Sequence, residues 1–148
     1  MTAAATRSPA AQVLTVDACI WVAAFDPTDR FHADAATFLG EAAARGVRLL
    51  APRVLLLEVR CAVARRSGDA AAGARAEAAL RGAPFLQLSP MDERLLDAAG
   101  ELGGAQALRS ADALYAACAL LHGAPLVTFD AELIARAGAT PPHRVFLP

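Results

Sequence analysis

Five short apolar runs, at residues 12–16, 47–51, 85–88, 126–129 and 143–147, recur along this chain with helical patterns between them. Strands that alternate with helices pair in parallel, because a parallel neighbour needs a long crossover, and the helices then cover both faces of the sheet. The pattern predicts a three-layer α/β/α sandwich around a central parallel sheet of about five strands. A chain of 148 residues closes this as one domain with a sizeable core. The domain is expected over residues 12–148. Residues 1–11 are small and polar with no apolar middle, and read as a flexible leader, not a secretory signal.

Between the runs the spacing predicts helices at 18–25 and at about 30–45, the second stopped by Gly46. A third runs over 52–67 with Pro52 in its first turn and Gly68 as its stop, and a fourth over 69–81. Ser89 reads as the cap of a helix with Pro90 in its first turn that ends near Gly103, and Ser110 as the cap of a helix over 111–122 stopped by Gly123. A short helix at 131–137 follows, and Pro141-Pro142 sets off the last run as an edge strand.

Composition removes several function classes. The chain is 56% apolar and 20% charged, as in a folded globule. Its longest apolar run, 113–121, is too short to cross a bilayer, so a cytoplasmic protein with no membrane association is expected. Cys19, Cys61 and Cys118 are odd in number and far apart, which suits reduced core thiols; no Cys-x-x-Cys supports a zinc site. A net charge of −1 excludes a global basic field, so any nucleic-acid contact is local. All 14 basic residues are Arg and none is Lys, which removes the Walker A lysine and Schiff-base chemistry.

In open α/β sheets, ligands sit outside the carboxyl ends of the strands. Asp17 follows the first run directly and Asp130 closes Ala124-Pro-Leu-Val-Thr-Phe-Asp130 after the fourth. Glu58 lies early in the helix that follows the second run, and Asp112 in the first turn of the helix that feeds the fourth. If the sheet is parallel, these four acids converge on one crevice. Crowded carboxylates repel unless a cation or shared protons compensate them. Hard oxygen donors suit Mg²⁺ or Mn²⁺, and two such ions about 4 Å apart can activate a water and stabilise the leaving oxygen of a phosphodiester.

Each acid also has a plainer reading. Asp17 and Asp130 can cap the helices that follow them, and Asp112 can complement a helix dipole. Glu58 is hardest to explain that way, because Leu55-Leu56-Leu57-Glu58-Val59 is apolar around it; a pair with Arg53 or Arg60 is open. His32 and His122 read as structural, and Trp21 and Tyr115 as core packing ahead of base stacking. Arg60, Arg65 and Arg66 share a helix with Glu58, and Arg109 precedes the Asp112 helix. These arginines either grip phosphate at the rim of an acidic site or form a solvated face.

Several segments together match a known pattern: Val16-Asp17; His32 and Ala35; Ala51-Pro52 followed by Leu57-Glu58-Val59; Arg109-Ser-Ala-Asp112-Ala-Leu-Tyr-Ala-Ala; and Ala124-Pro-Leu-Val-Thr-Phe-Asp130. The acids of the last two stand eighteen residues apart. Over residues 13–147 the chain resembles PIN-domain ribonucleases of the VapC toxin type. The resemblance implies Mg²⁺ or Mn²⁺ held by Asp17, Glu58, Asp112 and Asp130, with Thr128 supporting them. It implies a metal-dependent endoribonuclease that hydrolyses RNA, the toxin of a type II toxin-antitoxin pair, partnered by a cognate antitoxin and forming a homodimer. The apolar face of residues 70–80 offers a surface for that dimer. Arg65, Arg66 and Arg109 are the candidate RNA contacts. The departure is Ala18, where the family commonly has Ser or Thr. The alternatives are a non-catalytic PIN-like module that binds RNA or protein, and a haloacid-dehalogenase-type phosphatase. The latter lacks its second acid here, in Asp17-Ala18-Cys19, and its lysine.

Overall fold

The computed structural model describes residues 12–146; the leader expected at residues 1–11 lies outside them. Within the described residues four strands, β1 (Val13–Val16), β2 (Arg48–Pro52), β3 (Leu86–Ser89) and β4 (Leu126–Val127), form one parallel sheet in the order β3-β2-β1-β4. These are the first four apolar runs.

The fifth run does not make a strand in the described residues. Pro142–Arg144 is a single 3₁₀ turn, and the sheet continues past β4 only as a lone bridge between Val127 and Thr140. Pro141 and Pro142 follow that bridge and have no N–H to continue a ladder, which explains the stop.

Among the described residues seven helices connect and cover the strands: α1 (Ala18–Phe25), α2 (His32–Ala44), α3 (Val54–Ser67), α4 (Ala70–Arg81), α5 (Glu93–Gln106), α6 (Ser110–His122) and α7 (Ala131–Ala137). Several boundaries differ from the expectation. α2 starts later because Asp26 and Asp29 hold the preceding turn, accepting from the backbone N–H of Thr28 at 3.0 Å and of Phe31 at 2.8 Å. Pro52 ends β2 and does not open α3; its lack of an N–H costs little at a strand's last residue. Ser89 is the last residue of β3, and Asp92 caps α5 by accepting from Leu95 N–H at 3.0 Å. Ser110 is the first residue of α6, with Arg109 at the cap position.

The central strands are buried on both faces, as parallel strands between helices are. Leu49 and Ala51 point into a core built with α1 to α4, whereas Leu50 points into a second core with α5 and α6. The apolar face of α4, at Gly73, Ala76 and Leu80, is spent on that first core, so it is not the free dimer surface expected from residues 70–80. At Gly73 the α3 and α4 backbones approach so closely that an added Cβ would collide with the Arg60 carbonyl. Cys118 is buried, but Cys61 is exposed, contrary to its reading as a core thiol, because it lies on the outer face of α3. Among the described residues no helix is long and apolar enough to cross a membrane.

Candidate active site

β1 and β4 are adjacent, with Thr15 opposite Leu126 and Val16 opposite Val127. This register sets the residues that leave the two strands side by side. Asp17, 7% exposed, stands at the N-terminus of α1 but makes no capping bond with its side chain. Its Oδ2 instead accepts from the Thr128 hydroxyl at 2.7 Å and from the Cys19 thiol at 3.2 Å. Thr128 is fully buried, and its oxygen also accepts from Asp130 N–H at 3.0 Å. One hydroxyl thereby ties the ends of β1 and β4 together.

Burial drives the Asp17 carboxyl above its ordinary value, opposed by the Thr128 and Cys19 hydrogen bonds and reinforced by the charge of Asp112. Burial, with the Asp17 charge added, pushes the Cys19 thiol up to about 12, so it stays a neutral donor. Glu58, half-buried on α3, is raised as well: burial leads, the Tyr115 hydroxyl opposes, and the charges of Asp17 and Asp112 add to the rise. Tyr115 donates to Glu58 Oε2 at 2.5 Å, which answers the open question of that acid's partner; Arg60 pairs with Glu77 instead. Burial together with Glu58 holds the Tyr115 phenol far above its usual range.

Asp112 and Asp130 are held differently. Arg109, 71% exposed, donates through Nε to Asp112 at 3.0 Å and through Nη2 to Asp130 at 3.2 Å. Asp130 is also the cap of α7, accepting from the N–H groups of Glu132 and Leu133, so its plainer reading holds alongside any other. Asp17, Glu58 and Asp112 thus form a mutually repelling group at the carboxyl edge, and Arg109 joins Asp130 to it.

The donor set is carboxylate and hydroxyl oxygen, which fits a hard divalent cation in kind. Among the described residues no three Asp, Glu, His or Cys side chains stand close enough to hold an ion as they lie. Protein donors and the Arg109 guanidinium compensate the acids in this arrangement.

The other candidates are distributed as follows. Arg66 donates to Asp26 at 3.1 Å and Asp29 at 2.6 Å, so it braces the turn before α2. Arg65 is exposed near the end of α3. His32 Nδ1 lies 2.8 Å from the Ala23 carbonyl, and His122 Nε2 3.3 Å from the Ser89 hydroxyl, both structural contacts. Trp21 and Tyr115 are buried, as packing required. Reasoning from sequence missed Tyr115 as the partner of Glu58, although it stands three residues after Asp112 and hence on the same helix face.

The PIN domain family matches residues 14–139. No curated protein matches this chain. Among solved structures, a sarcin-ricin-loop-cleaving VapC toxin from Mycobacterium tuberculosis is similar at a TM-score of 0.73 and 23% identity, over 86% of this chain and 96% of its own. A toxin-antitoxin complex from Klebsiella pneumoniae is similar at a TM-score of 0.66 and 18% identity, over 87% of this chain and 97% of the matched one. A VapBC pair from Rickettsia felis bound to a promoter DNA fragment also has a TM-score of 0.66, at 16% identity, over 88% and 97%.

Proposed function

Because this chain belongs to the PIN-domain family, we propose that it is a metal-dependent endoribonuclease that hydrolyses RNA phosphodiester bonds in the cytoplasm, as the toxin of a type II toxin-antitoxin pair. The observation that carries this reading is the mutual influence of Asp17, Glu58 and Asp112, delivered by three separate elements to one edge. Burying like charges together is unfavourable for stability alone, and such groups concentrate where chemistry uses them.

Asp17, Glu58, Asp112 and Asp130 would hold Mg²⁺ or Mn²⁺. That ion, when bound, supplies Lewis acidity toward the phosphate and a water made acidic enough to attack. The chain's own residues do the rest. Thr128 fixes the Asp17 carboxylate by donating to Oδ2, and Tyr115 fixes Glu58 in the same way. Arg109 neutralises Asp112 and Asp130 with a guanidinium that is largely solvent-facing and therefore accessible to a substrate phosphate.

The similar toxin-antitoxin complexes support an antitoxin partner for this chain, and a homodimer is expected with it. Leu57, Leu96 and Leu120, each at least half exposed, are apolar surface suited to such contacts.

The test is cleavage of total cellular RNA by the antitoxin-free protein with Mn²⁺, Mg²⁺ or EDTA, beside Asp112→Asn. Metal-dependent cutting that the substitution abolishes supports the reading. The Arg109 bridge favours a second reading, a non-catalytic PIN-like RNA- or protein-binding module in which the guanidinium permanently replaces a metal. Mn²⁺ titration separates the two, since only the enzyme gains stability from the ion.

A further inference from the structure

A cleft of about 580 Å³ opens beside Asp130, lined by Cys19, Asp29, Arg30, Phe31, Arg66 and Phe129. Its volume lies within the roughly 300–1,000 Å³ of small-ligand sites. Phe31 and Phe129 stack in it with ring centroids 4.3 Å apart and planes 6° off parallel. Arg30 Cζ lies 4.5 Å from the Phe31 centroid. Phe31 thus contacts both the Phe129 ring and the Arg30 guanidinium. Arg30 is exposed and forms no ion pair among the described residues, whereas Arg66 is committed to Asp26 and Asp29. A stacked ring pair thus begins one residue before Asp130 and is flanked by the exposed, unpaired guanidinium of Arg30.

The geometry points to this cleft as the seat of the nucleotide adjoining the scissile phosphate, with its base stacked on the outer face of Arg30. The inference rests on the ribonuclease reading and adds a substrate class to it. Unstacked RNA bases are held on aromatic rings and on guanidinium planes, and this mode requires a single strand or a splayed loop. The acids themselves repel the RNA backbone, so a neighbouring attractive surface is what retains the strand. Asp130 and Arg30 line the same cleft, so a strand that approaches the acids through it passes Arg30.

The experiment uses the full chain carrying Asp112→Asn, which binds without cutting, and a mixed-sequence single-stranded RNA of a dozen or so nucleotides containing 2-aminopurine, in Mg²⁺. Arg30→Ala is expected to weaken binding about tenfold, the order of one base stack, and to abolish the 2-aminopurine quenching that accompanies binding. Arg30→Lys keeps the charge and loses the plane, and is expected to behave like Arg30→Ala. Undiminished binding in both variants overturns the inference and leaves the cleft to a protein segment. Recovery by lysine overturns it too, since the contact is then to phosphate alone. If wild type cuts RNA and the Arg30 variants bind normally, only this inference falls; if the parent neither binds nor cuts any RNA, the nuclease reading falls with it.

Discussion

Tyr115 on α6 donates its hydroxyl to Glu58 on α3 at 2.5 Å, and Tyr115 is 1% exposed. The bond joins α6 to α3 across the first core and holds an acid that burial and two neighbouring charges disfavour. Tyr115→Phe keeps the ring and removes only this donor. Loss of such a support typically weakens metal affinity or activity about 10–100-fold, and a single hydrogen bond is worth about 1 kcal/mol of stability. The expected result is a drop of that size in metal-dependent cleavage with a small fall in thermal midpoint; full activity at all Mn²⁺ concentrations would remove Tyr115 from the site.

Arg109 competes with any cation for Asp112 and Asp130. Arg109→Gln is expected to tighten Mn²⁺ binding a few-fold, because the acids lose their guanidinium, while RNA cleavage slows, because a phosphate contact is lost. Calorimetric Mn²⁺ titration and initial cleavage rates measure the two effects. A change of both in the same direction contradicts this role. Folding stability should barely move, since exposed pairs contribute little.

The charge of Asp112 adds to the burial that raises Asp17 and Glu58. Asp112→Asn therefore removes repulsion and is expected to leave the metal-free protein at least as stable as wild type. Cleavage should vanish. Wild type should gain about 2.7 kcal/mol at a Mn²⁺ concentration one hundred times its Kd, and the variant should gain far less at that same concentration. Thermal melts with and without Mn²⁺ decide it: marked destabilisation in EDTA would identify Asp112 as structural.

Asp17 is raised above its ordinary 3.8, so the folded state holds its proton more tightly than the unfolded state. The stability this contributes is fully present below pH 3.8 and is lost as pH rises through the raised folded value. Metal-free wild type should accordingly lose stability relative to Asp17→Asn as pH climbs from about 4 toward neutrality. Mn²⁺ affinity should rise over the same window, because the metal needs the ionised acid. Denaturant midpoints of the two proteins across pH test the sign.

Gly73→Ala places a methyl against the Arg60 carbonyl, between α3 and α4. Overpacking of this kind costs about 1–3 kcal/mol. Stability in urea should fall by that amount, while cleavage per folded molecule stays unchanged, since Arg60 faces Glu77 and not the acids.

The parallel sheet and the positions of its first four strands were legible because each is a short apolar run between helical patterns, and Leu49 and Leu50 show why such a run has no polar alternation: consecutive residues enter different cores. The last run failed as a strand because apolar content does not report missing donors, and two prolines removed them. That Asp17, Glu58, Asp112 and Asp130 come to one edge was readable from topology alone, since strand ends and early helix turns share that edge. Their hydrogen-bond partners were not. Thr128 meets Asp17 across 111 residues, and the Cys19 thiol reaches the same carboxylate where Ala18 offers no hydroxyl. Arg30 and Phe129 carry no local signal, because their meeting at Phe31 depends on how the turn before α2 lies against the end of β4.

β4 is two residues long, yet it brings Thr128 to Asp17 across 111 residues of sequence, and Asp130 with it. While the protein is being synthesised, the first strand, Asp17 and even Glu58 emerge and can fold long before β4 leaves the ribosome. The acids reach their final arrangement only once residues 126–130 have been made. A product terminated before β4 therefore lacks both Thr128 and Asp130, and leaves Asp17 without the hydroxyl that β4 delivers.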